Sequence, residues 1–164
     1  MEPAGEHLGG AEPGGPSTKH DVTVPIGSIP AFVRETDRAL RAAVPGIRSV
    51  TYGHVGNGNL HYNLSGPADA DPEAFRARAD ELSSIVYDST ARFAASISAG
   101  HGIGRSKRNL LADHKPTVEI ELVRGIKRLL DPAGLMNPGA VLLRGEAAGG
   151  RVAGVRRPGS GWRE

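Results

Sequence analysis

The sequence predicts an α+β fold: an antiparallel sheet with helices on one face, in the ferredoxin-like split βαβ order, between disordered ends. Three observations carry this expectation. Residues 21–26, DVTVPI, alternate in polarity and are rich in β-branched side chains, as a half-buried strand requires. Asn57-Gly58 lies between two further alternating runs, the strongest short-range signal for a hairpin. Two stretches with apolar residues at helical spacing follow the first strand and the hairpin. The order strand, helix, strand, strand, helix, strand places helices on one side and leaves the other open to a ligand.

Each element has its own warrant. Ser28 and Pro30 open the first helix, in which Phe32, Val33, Thr36, Leu40, Ala43 and Val44 share a face; Pro45-Gly46 ends it. Strands are expected over 48–55 and 60–64, joined by a two-residue turn at Asn57-Gly58. Asp71 caps the next helix, with Pro72 at its first position, and Phe75, Ala79, Leu82, Val86 and Phe93 form one continuous stripe. Residues 95–100, ASISAG, read as a last strand, and HGIGRSKR as a glycine-punctuated loop entering a short basic helix. Pro116 opens a final helix with Val118, Leu122, Ile126, Leu129 and Leu130 facing inward, followed by an irregular segment, 130–143. Residues 1–18 and 145–164 are rich in Gly, Pro and charge and lack an apolar run. They read as disordered ends around a folded domain, 19–144.

Composition narrows the chemistry. With no cysteine, any metal must be held by histidine, carboxylate or amide oxygen, and neither a disulfide nor a thiolate nucleophile exists. A net charge of +2 and 4% aromatics argue against a nucleic-acid partner. The first residues carry no signal-peptide core, and no stretch approaches the ~18 apolar residues of a membrane span. A soluble, cytoplasmic protein without membrane span is therefore expected.

The hairpin brings chemistry with it. If Asn57 and Gly58 alone form the turn, His54 faces His61 across the strands and Tyr52 faces Asn63, with the histidine Cβ atoms ~5 Å apart. Two imidazoles so placed can chelate a divalent ion; equally, they can be ordinary residues of a solvated polar face. His101 lies between Gly100 and Gly102, with Arg105 and Lys107 close behind. Such a histidine can act as a general base or acid beside an anion, or simply occupy an exposed tight turn.

Four segments in order, KHDVTVPI, GHVGNGNLHYN, SISAGHGIGRSKR and LLDPAGLMNPGAVL, cover 19–142. Together they resemble the C-terminal part of the FAD-linked oxidases that act on 2-hydroxy acids: D-lactate dehydrogenase, the glycolate oxidase flavin subunit and D-2-hydroxyglutarate dehydrogenase. The resemblance implies FAD as cofactor, a small D-2-hydroxy acid as substrate and a divalent metal such as zinc or manganese. It implies His54 and His61 as metal ligands and His101 as the base for the hydroxyl proton. It further implies Lys19 and Asn63 as substrate-binding residues, and Asn137 as a residue approaching the flavin.

The chain departs from the family at three places. Gly100 stands where the family has a glutamate ligand, which weakens metal binding. Asn57 stands where the family has aspartate. The family's FAD-binding domain does not fit within 164 residues. A C-terminal fragment is thus expected, inactive alone and completed by a separate FAD-binding domain or subunit; the alternatives are a non-catalytic remnant and a small metal- or anion-binding module.

Overall fold

The computed structural model describes residues 16–67 and 69–143. Most of the two ends expected to be disordered lie outside these residues. The chain divides into two compact units, one ending at Ser106 and the other beginning at Lys107.

The first unit is a three-stranded antiparallel sheet in the order β1-β3-β2, with helices packed on one face, as the sequence predicts. β1 (Ser17–Thr23) starts four residues earlier than the alternating run at 21–26, so Ser17 and Thr18 belong to the sheet and not to a disordered end. α1 (Ile29–Ala43) carries Pro30 in its first turn and ends before Gly46, whose φ is +83°. β2 (Arg48–His54) and β3 (Asn59–Ser65) form the hairpin.

The expected single helix after it is broken at Arg78 into α2 (Pro72–Ala77) and α3 (Ala79–Arg92). The Asp71 side chain caps α2 through the backbone N–H of Glu73 at 3.1 Å. At the break Arg78 makes a two-pronged pair with Glu81, 2.8 Å at each nitrogen, and donates to the Ala43 carbonyl at the end of α1, 3.1 Å away. The break thus ties the two helical layers together.

The core lies between the sheet and these helices. Val22, Leu60, Tyr62 and Leu64 from the sheet meet Phe32 and Leu40 of α1 and Leu82, Val86 and Tyr87 of α3, all at most 2% exposed. Burying each such side chain stabilises the fold by roughly 1.5–3 kcal/mol. Two polar ties cross this layer. His20 is 1% exposed, with Nδ1 2.8 Å from the Tyr62 carbonyl and Nε2 3.0 Å from Ser83 Oγ. A carbonyl only accepts, so Nδ1 carries a proton and donates it to the Tyr62 carbonyl. Tyr62 in turn donates its hydroxyl to Asp37 of α1, which also accepts from Ser49 at 2.8 Å.

The last expected strand is reduced to one bridge, Thr23 with Ser96, at the outer edge of β1. Beyond it, the N–H groups of Ala99 and His101 turn to the Asp21 carboxylate in place of the β1 backbone. The ladder stops where a side chain takes over its donors.

The second unit contains α4 (Arg108–His114), α5 (Thr117–Leu130) and the irregular segment that follows. Asp131 organises that segment. It accepts from the backbone of Leu135 and Met136, 2.9 Å each, and from Lys127 Nζ at 2.6 Å. One expectation is overturned here. Val118, Leu122, Ile126, Leu129 and Leu130 are 58–79% exposed, and Ile120 is the buried residue of α5. Helical periodicity reveals that a face is apolar; it does not reveal that its cover belongs to the same described residues.

Candidate functional site on the open sheet face

Strand alternation sorts the sheet residues. The side chains at 20, 22, 60, 62 and 64 enter the core, so those at 19, 21, 23, 59, 61 and 63 lie on the opposite face. Three rungs cross it: Lys19–Asn63–Val50, Asp21–His61–Tyr52 and Thr23–Asn59–His54.

This register corrects the expected hairpin. His54 pairs with Asn59, and His61 pairs with Tyr52. The turn holds four residues, a 3-10 turn over Val55–Asn57 followed by Gly58 at φ +77°. A two-residue type I′ turn needs positive φ at both central residues, and here only Gly58 supplies it. Asn57 instead accepts the Asn59 N–H on its side chain at 3.1 Å. The Gly58 carbonyl accepts from Val24 N–H at 2.9 Å, and a Cβ on Gly58 would lie 2.3 Å from the Val24 carbonyl oxygen. This docking onto the end of β1 fixes the turn. The shift is two residues, an even number, so every side chain keeps its face. His54 and His61 are diagonal neighbours and not direct ones.

The middle rung is where ionisable groups converge. Asp21 is 4% exposed. Its Oδ2 accepts the backbone N–H groups of His101 at 2.9 Å and Ala99 at 3.2 Å. Its Oδ1 lies 3.3 Å from His61 Nδ1, and its Oδ2 lies 3.8 Å from His101 Nδ1. The two imidazoles are 5.5 Å apart between ring centroids, and Tyr52 packs against His61 at 5.1 Å. Among the described residues, Asp21, His61 and His101 form the group whose ligand atoms all lie within 4.8 Å of one another. This nitrogen and oxygen donor set suits zinc or manganese.

The residues singled out in the sequence are distributed as follows. His61 and His101 come together. Lys19 and Asn63 are direct partners on the rung beside them. His54 ends β2 one rung away, exposed and outside the convergent group. Asn137 is in the second unit, at φ +45°, lining a groove of about 320 Å³ with Ile126, Leu130 and Met136. Asp21 was missed, although alternation with Lys19 on the same strand places it on this face. Gly100 has room for a side chain: a Cβ there would meet Asn59 Nδ2 at 3.7 Å, an ordinary contact.

Residues 6–141 match the family model described as FAD linked oxidases, C-terminal domain. The chain belongs to this family. It is 43% identical over 121 residues to a D-2-hydroxyglutarate dehydrogenase of Xanthomonas citri pv. viticola, covering 74% of this chain and 26% of that protein. It is 36% identical over 123 residues to a D-2-hydroxyglutarate dehydrogenase of Stutzerimonas stutzeri, covering 75% and 26%. A mitochondrial D-2-hydroxyglutarate dehydrogenase of Danio rerio is 38% identical over 120 residues, covering 73% and 21%. This FAD-linked oxidase chain therefore spans about a quarter of the length of the curated relatives it matches. None of its described helices is long and apolar enough to cross a membrane.

Proposed function

We propose that the chain forms the substrate- and metal-binding part of an FAD-dependent oxidoreductase that converts D-2-hydroxy acids, of the lactate, glycolate and 2-hydroxyglutarate class, to 2-keto acids. The observation that carries this is the open sheet face, where His61 and His101 meet around Asp21 beside the Lys19–Asn63 rung. The names of its relatives support the substrate class.

On this reading Lys19 holds the substrate carboxylate and Asn63 hydrogen-bonds it, fixing the carbon that reacts. His61 would hold the metal at the convergent group, with the exposed His54 one rung away on the diagonal as its second imidazole, a spacing that long side chains can bridge. His101 takes the hydroxyl proton at Nε2, because Nδ1 is the atom turned to Asp21. When bound, FAD supplies the acceptor for the hydride and the metal lowers the pKa of the hydroxyl. Asn137 is the one candidate contact to FAD among the described residues, so most of the flavin surface comes from a segment or subunit beyond them. The exposed apolar stripe of α5 is consistent with such a neighbour.

The test is anaerobic flavin reduction after mixing the chain with a flavin-binding domain from a relative of this family. Bleaching by a D-2-hydroxy acid and not by its L-isomer, lost with His101→Ala, is expected. Zinc binding without flavin reduction would reduce the chain to a metal-binding module.

A further inference from the structure

We infer that Asp21 is a positioning residue that holds the two functional histidines in register from opposite sides. The inference rests on the metal and proton-transfer roles just proposed, but its evidence is local. Asp21 is the only acidic side chain of β1 and is almost wholly buried, at a point where burying a charge is costly without compensating donors. Two donors are backbone N–H groups of the loop that carries His101. They fix the loop whatever the loop's side chains are, and they replace the strand ladder that ends at Ser96. The third approach is His61 Nδ1 at 3.3 Å from Oδ1. The contact is a close charge approach and not a hydrogen bond, and the negative carboxylate beside Nδ1 favours the His61 tautomer with hydrogen on that atom. That leaves the lone pair on Nε2, the atom a metal requires. One side chain thereby biases the ring state of one histidine by its charge and fixes the backbone position of the other by hydrogen bonds.

The experiment is nitrogen-15 NMR of the histidine rings in the full chain, wild type and Asp21→Asn, with and without zinc. In the wild type His61 is expected as the Nδ1–H tautomer before zinc is added, with zinc then shifting Nε2 alone. In Asp21→Asn, Asn can still accept through its amide oxygen, so the fold is retained. The His61 tautomers should mix, the Ala99 and His101 amides should shift, and zinc affinity should fall roughly 10–100-fold. A variant that is folded by its amide spectrum yet keeps the His61 tautomer would overturn the inference. So would zinc binding at His61 Nδ1, which would make Asp21 a neighbour within the coordination sphere. If the wild type binds no zinc, the metal role fails while the tautomer still decides the role of Asp21.

Discussion

Gly100 is the residue at which this chain differs most consequentially from the pattern it resembles. The resemblance implies a carboxylate ligand at this position; the backbone here is not left-handed and the space is open, with Asn59 Nδ2 at 3.7 Å as the nearest atom to an added Cβ. Gly100→Glu should therefore fold and, on the proposed metal reading, should strengthen zinc binding by about tenfold or more, since it adds an anionic ligand next to His101 on the loop tied to Asp21. Titration calorimetry checks this; unchanged or weaker affinity would mean that the loop does not aim residue 100 at the metal. The other departure, Asn57, is structurally benign. Its amide oxygen takes the Asn59 N–H, a task an aspartate would perform equally. Which residues share the site face was readable from strand alternation alone, and Lys19, His61 and Asn63 follow from it. Asp21 follows from it too, but its partners are 78 and 80 positions away, in a loop whose path no local pattern encodes.

At the level of elements, the sheet and α1 are joined by a buried phenol. Burial first, and then its hydrogen bond to Asp37, push the Tyr62 phenol far above its ordinary pKa of 10.0. The native state therefore holds this proton more tightly than the unfolded chain does. Its stabilising contribution is complete below pH ~10 and is lost progressively as pH rises from there toward the folded pKa. Chemical denaturation from pH 8 to 11 should show the wild type weakening above about pH 10, and Tyr62→Phe should flatten that slope; equal slopes would detach the phenol from the effect. The hairpin and both apolar stripes of the first unit could be read from sequence because their signals are local. Three features could not. The turn register depends on Gly58 docking onto Val24, the helix break on Arg78 reaching Ala43, and the outward stripe of α5 on what lies beside it.

For the whole molecule, one sheet face is built for packing and the other for polar chemistry, and a two-residue change of register preserves that division. The chain spans about a quarter of its relatives' length, so the proposed metal- and substrate-binding role of this face can be tested apart from the proposed flavin chemistry. Zinc titration of the full chain, with His54→Ala and His61→Ala beside it, tests the central claim most directly. One zinc per chain is expected, with affinity falling roughly tenfold or more in each variant and furthest in His61→Ala, whose imidazole lies at the centre of the rung. Undiminished binding by a folded His61→Ala chain would contradict it.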